Sequence, residues 1–113
     1  MIRAGTFPRE VRLRNSAEFK TVYQRGAKKV SRSFVVFMLA NGLEFSRFGL
    51  TTPRKLGPAH ERNRIKRRVR EILRNSRTDI PPGFDIVVNP RRSAHVRDFR
   101  ELRSELVDLL QIA

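Results

Sequence analysis

The chain has 113 residues, with 25 Lys and Arg against 11 Asp and Glu, a formal net charge of +14 and no cysteine. That length suits one domain with a modest core, and the lack of cysteine excludes a disulfide framework or a Cys-based zinc site. His60 and His95 are too far apart in the chain to suggest a metal set, so no protein-bound metal is expected. The basic excess, with a pI near 11.7, predicts a polyanionic partner, nucleic acid foremost. No apolar run approaches the ~18 residues of a membrane span, and no signal-peptide order opens the chain, so a cytoplasmic protein without a membrane partner is expected.

Residues 1–14 carry Arg3, Arg9, Arg12 and Arg14 with weak patterning, and read as a flexible basic arm or a short strand. Asn15 to Gly26 predicts a helix: Asn15 can cap it, Glu18 completes a capping-box pattern, Phe19, Val22 and Tyr23 share a face, and Gly26 stops it. "SFVVFMLA", Ser33 to Ala40, predicts a strand, and Asn41-Gly42 behind it predicts a hairpin returning into "LEFSRFGLT". Phe34, Val36, Met38 and Ala40 fall on one face of this strand and Val35, Phe37 and Leu39 on the other, so both faces are apolar.

Gly57 and Pro58 suit the start of a helix running to about Asn75. "DIPPG" reads as a linker, and "FDIVVN" as a strand ended by Pro90. From Ser93 a last helix is predicted, with Val96, Phe99, Leu102, Leu106, Leu109 and Leu110 in one stripe. The whole reads as an α+β domain, helices packed on a small sheet.

The second helix poses an electrostatic problem. Ile65, Val69, Ile72 and Leu73 form an apolar stripe, which anchors it to the sheet. Around that stripe, Arg62 to Arg74 hold seven basic side chains and a single acid, Glu71. Like-charged neighbours one turn apart, such as Arg62/Lys66 and Arg64/Arg68, each cost a few tenths of a kcal/mol. A merely solvated face would intersperse acids, as the last helix does with Asp98, Glu101, Glu105 and Asp108. Bound phosphate removes the repulsion, and arginine suits paired hydrogen bonds to phosphate oxygens. Asn63 adds an amide that can meet a base edge or a 2′-hydroxyl. Lys28, Lys29, Arg54, Lys55, Arg70, Arg74, Arg91 and Arg92 are further candidate phosphate contacts.

The stretch "PRKLGPAHERNRIKRR" resembles the protein subunit of bacterial ribonuclease P, marked by an Arg-Asn-Arg core followed by Ile-Lys-Arg on a helix and by an upstream Lys-x-Gly element. "RLRNSAEFKTVYQRG", "SFVVFMLA", "RFGLTTPRKLG" and "GFDIVVN" extend the resemblance over most of the chain. It implies an αβββαβα order, a mixed sheet of about four strands with three helices, and a left-handed βαβ crossover against the usual preference. It also implies an RNA-binding protein that assists a catalytic RNA in removing the 5′ leader from precursor tRNA. By position, Arg62, Asn63, Arg64, Lys66, Arg67 and Arg68 would bind the RNA subunit, and Phe19, Tyr23 and Phe37 would line a leader cleft. Tyr23 stands where the family commonly has Phe. No catalytic residue is assigned to the protein; Mg²⁺ is expected at the RNA active site, and no obligate protein partner is expected.

Other readings compete. A protein nuclease would need His60, Glu61 or His95 as acid and base, without a carboxylate cluster for two metal ions. A ribosomal or general RNA-binding module would share the charge and the basic helix, but the motif spacing argues against it. Helix-turn-helix DNA binding is disfavoured by the strands from Phe34 to Thr51, where a helical bundle would be expected.

Overall fold

The computed structural model describes residues 11–111. Its helices are α1 (Ser16–Arg25), α2 (Ala59–Asn75) and α3 (Phe99–Leu109), and its strands β1 (Ala27–Val30), β2 (Phe34–Ala40), β3 (Arg47–Leu50) and β4 (Phe84–Pro90). The chain order is therefore αβββαβα. The sheet order is β1-β2-β4-β3, with β3 parallel to β4 and the other pairings antiparallel. The β3–α2–β4 unit is the parallel crossover that the family resemblance implies to be left-handed.

α1 starts and stops where its sequence directs. The Asn15 side chain accepts from the Glu18 N–H at 2.9 Å, and Glu18 accepts in return from the N–H groups of Arg14 and Asn15. Such a cap is worth about 1 kcal/mol. The Arg14 N–H in particular holds the Glu18 carboxyl below the usual range. Glu18 also meets Arg47 at 3.1 Å, and the Arg47 fork grips both Asp85 oxygens at 2.8 and 2.6 Å. One guanidinium thus joins α1, β3 and β4.

The hairpin predicted at Asn41-Gly42 does not form. β4 lies between β2 and β3: Ala40 pairs with Phe84, and the Asn41 N–H donates to the Gly83 carbonyl at 2.9 Å. A type I′ turn needs positive φ at both central residues, and among the described residues only glycines, Gly42 included at 73°, have it. The Asn41 side chain instead accepts from the Leu43 N–H and donates to Phe45 and Asp85, which carries the chain past the end of β4. β4 takes the centre because Ile86, Val87 and Val88 in succession are fully buried, the pattern of a strand covered on both faces.

β1 was not legible in the sequence. "AKKV" is short and polar, lacks apolar alternation, and forms a largely exposed edge strand against β2. The last helix also starts later than expected. Residues 92–95 form a 3-10 turn, Asp98 caps α3 by accepting from the Arg100 N–H, and Val96 is 87% exposed, outside the core stripe.

Residues facing opposite sides of the sheet build two unequal layers. Phe34, Val36, Met38, Ile86 and Val88 pack beneath the α2 stripe and beneath Leu102, Leu106 and Leu110 around α3. The other face is covered only partly, by Leu13 and by Val22 of α1 with Phe19, leaving Phe37 and Leu39 half-buried. Near the β3 edge, Arg12 forms an isolated parallel bridge to Phe48, and the Leu13 N–H donates to the Phe48 carbonyl at 2.9 Å. Residues 1–10, most of the segment read as a basic arm, lie outside the described residues.

The turn between β1 and β2 is tied to α3 by Glu105. Its carboxylate accepts from the Ser31 hydroxyl, from the Ser33 N–H at 2.6 Å and from Arg97 at 3.0 Å. Burial would raise its pKa, but these donors, with the Arg97 charge, hold it below the ordinary value of 4.5. A depressed folded-state pKa gives stability that is present above the unfolded value and is lost as pH falls through the folded one. Melting temperature in wild type is therefore expected to drop below about pH 4.5 more steeply than in Glu105→Gln, whose neutral-pH stability is lower. Parallel pH profiles of the two melting curves would show that this carboxylate contributes nothing to acid sensitivity.

Candidate nucleic-acid interface

α2 starts after a forced backbone turn. Gly57 has φ 134°, a conformation that other residues rarely adopt, so the backbone itself calls for glycine in the Lys-x-Gly element. The Arg62 Nε donates to the Gly57 carbonyl at 3.1 Å and fixes the angle of the first turn. Ile65, Val69, Ile72 and Leu73 are buried, as their spacing requires.

The six residues assigned to the RNA subunit then divide by what the fold asks of them. Asn63, Arg64 and Arg67 are exposed, and Lys66 is half-buried. Arg68 is committed to the fold: it donates to the Arg97 carbonyl at 2.7 Å and more weakly to the Ala94 carbonyl, joining α2 to the segment before α3. Burial, and then the nearby Arg64 charge, pull its guanidinium pKa below the ordinary value. Farther along, Arg70 is exposed and Arg74 pairs with Glu71 at 2.6 Å. Glu71, the lone acid of this stretch, thus neutralises the C-terminal end of the cluster and leaves its N-terminal half positive.

On the partly covered face of the sheet lies an open groove of about 1130 Å³. Tyr23 from α1 and Phe37 from β2 form one aromatic wall, edge to face, with centroids 4.9 Å apart and planes at 83°. Lys28, Lys55, Arg91 and Arg92 line the same groove, and the Lys28 ammonium is 6.0 Å from the Phe37 ring centre. The alternation of β1 sends Lys28 here and Lys29 the other way, where its ammonium donates to the Gln111 carbonyl. Arg54 is exposed in the 3-10 turn beside the groove but does not line it.

Phe19 is not brought into the groove. One turn before Tyr23 on α1, it packs with Leu13, Val22 and Val87. A β-carbon at Gly49 would lie 2.6 Å from its ring, so the missing side chain in β3 makes its seat. The family resemblance put it in the cleft by position, and helical spacing sets it on the same side of α1 as Tyr23 without deciding which of the two reaches the groove.

Thr51 and Asn89, which the sequence had not singled out, stand in the groove with Tyr23. The Tyr23 hydroxyl donates to Asn89 Oδ1 at 3.0 Å and lies 3.1 Å from Thr51 Oγ1. A signal existed for Asn89. In β4 it follows Val87 by two residues, and it pairs with Val35 as Val87 pairs with Phe37, which places a polar side chain on the aromatic face.

His60 is exposed at the start of α2, whereas His95 Nε2 is hydrogen-bonded to the Leu56 carbonyl and braces the segment before α2. Among the described residues no three of His, Asp and Glu gather as metal ligands. No helix there is long and apolar enough to cross a membrane.

Comparison with known proteins places this architecture. The protein component of ribonuclease P from Thermotoga petrophila is 42% identical over 110 residues, 94% of each chain, and that from Petrotoga mobilis 32% over 94% of this chain and 93% of its own. The solved RNase P protein of Thermotoga maritima superposes with a TM-score of 0.82 at 41% identity, covering 88% of this chain and 94% of that one. The Staphylococcus aureus protein gives 0.79 at 31%, covering 88% and 92%. The family model described as Ribonuclease P matches residues 7–113, thus taking in the groove and the basic helix together. Sequence and fold agree along nearly the whole chain, and this protein belongs to the Ribonuclease P family.

Proposed function

We propose that the protein is the RNA-binding subunit of a ribonuclease P, assisting a catalytic RNA in endonucleolytic removal of the 5′ leader from precursor tRNA in the cytoplasm. The exposed N-terminal half of α2, with Asn63, Arg64, Lys66 and Arg67, docks on the RNA subunit. The groove walled by Tyr23 and Phe37 takes the unpaired leader, its backbone held by Lys28, Lys55, Arg91 and Arg92.

The observation that carries this reading is the meeting of an exposed and a half-buried aromatic ring with four basic side chains in one open groove. Stacked bases and tracked phosphates need that combination, and a binder of duplex RNA has no use for the rings. Chemistry is assigned to the RNA and its Mg²⁺. The described side chains bring no carboxylate set together to hold such an ion, and His95 is already engaged with a backbone carbonyl. No obligate protein partner is invoked.

The test is reconstitution. With catalytic RNA and Mg²⁺, the protein is expected to promote release of the intact leader; alone, freed of RNA, it is expected to cut nothing. Cleavage by the RNA-free protein that disappears on changing His60 or His95 would return the chemistry to the chain. Binding without any effect on leader removal would reduce the protein to a general RNA-binding module.

A further inference from the structure

Counting protons in the groove gives its floor a direction. Tyr23 has one hydroxyl proton, and Asn89 Oδ1 can only accept, so the 3.0 Å contact uses that proton. At 3.1 Å from Thr51 Oγ1, the tyrosine oxygen must then accept, with Thr51 donating. The chain of hydrogen bonds then runs from Thr51 to Tyr23 to Asn89, whose Oδ1 faces the phenol.

With Oδ1 held by the phenol, the Asn89 amide nitrogen is left as a donor with no partner among the described residues, on a side chain that lines the groove. We infer that Asn89, oriented by Tyr23, is a specificity determinant for the single-stranded RNA in the groove, donating to an acceptor on the edge of the base beside Phe37. Phenylalanine at position 23 would keep the ring but release the amide to rotate, and donor and acceptor would then be offered interchangeably. The tyrosine hydroxyl therefore turns a sequence-tolerant stacking surface into one that reads a base edge. Tyr23 acts here as a positioning residue and Asn89 as the contact.

This inference rests on the groove holding unpaired RNA, and the experiment separates the two. Binding of the full-length protein is measured with the four homopentamers of RNA, an abasic pentamer, and analogues of the tightest-binding base that each lack one edge acceptor, a ring nitrogen replaced by C–H or a carbonyl oxygen deleted. Wild type is expected to bind the base-bearing pentamers above the abasic one and to lose about tenfold on deletion of one particular acceptor. In Tyr23→Phe the same deletion is expected to change affinity less than twofold. Asn89→Asp, which keeps the shape and removes the donor, should also abolish the acceptor dependence. If no deletion matters in wild type, or if the penalty persists undiminished in both variants, Asn89 does not read the base. If the abasic pentamer binds as tightly as the others, the groove does not hold bases, and the leader assignment itself fails.

Discussion

Replacing Arg64, Lys66 and Arg67 by glutamine is expected to weaken binding to the catalytic RNA by roughly two orders of magnitude at low salt, since each charge-assisted hydrogen bond to phosphate is worth about 1 kcal/mol or more. The dependence of affinity on salt should flatten at the same time, by about one unit of log–log slope for each phosphate that is no longer neutralised. The control is Lys20, Arg32 and Arg100, an equal loss of charge from exposed side chains outside α2 that make no hydrogen bond among the described residues. Arg97 is left out of that set because it is bonded to Glu105 and Glu101, and its removal would unfold what is being measured. Arg68 is left out of the first set for the same reason. Affinity and salt slope for both triples can be read by filter binding. Equal losses would mean that the total charge of +14, and not the face of α2, governs docking.

Phe37→Ala is expected to lower affinity for precursor tRNA about tenfold in the assembled complex, while affinity for mature tRNA stays nearly constant. Only the precursor carries the unpaired leader, and one base stacked on an aromatic ring is worth about 1–3 kcal/mol. Phe37 also belongs to the packing around Val22 and Val87, so part of any loss could come from the fold. Phe37→Leu separates the two, because leucine keeps much of the apolar volume and cannot stack. The leucine variant should melt close to wild type and still lose discrimination between precursor and mature tRNA. Retained discrimination in a well-folded Phe37→Leu protein would return Phe37 to the core and empty the groove of its proposed role.

What could be read in the sequence followed the range over which each physical cause acts. The α1 cap was legible because Asn15 and Glu18 answer each other within one turn. The α2 stripe was legible because its period is internal to the helix. Both faces of β2 were legible by alternation, and with them the unequal cover that leaves Phe37 accessible. The failure at Asn41-Gly42 was a failure of range. The dipeptide has the composition of a tight hairpin, yet β4, more than forty residues on, competes for the same edge of β2 and wins through three consecutive buried residues. The groove was half legible for a similar reason: its aromatic and basic residues are conspicuous types, whereas Thr51 and Asn89 acquire meaning only when β4 lies beside β2. Arg68 carried a motif position but no local sign that a backbone carbonyl near α3 would hold it.

The central place of β4 also constrains how the chain can be made. While residues up to Gly83 emerge from the ribosome, β1 and β2 can pair, but β3 has no hydrogen-bonding neighbour among the named strands, and the α2 stripe faces a sheet without its middle. Pairings so distant in sequence form slowly and leave apolar surface uncovered in the interval. A nascent chain stalled before Phe84 would show its aromatic strand and its arginine-rich helix together, with neither the groove nor a stable seat for the helix, in the vicinity of the most abundant RNA in the cell. The last strand of this sheet thus decides when the groove and the seat of the basic helix come into being.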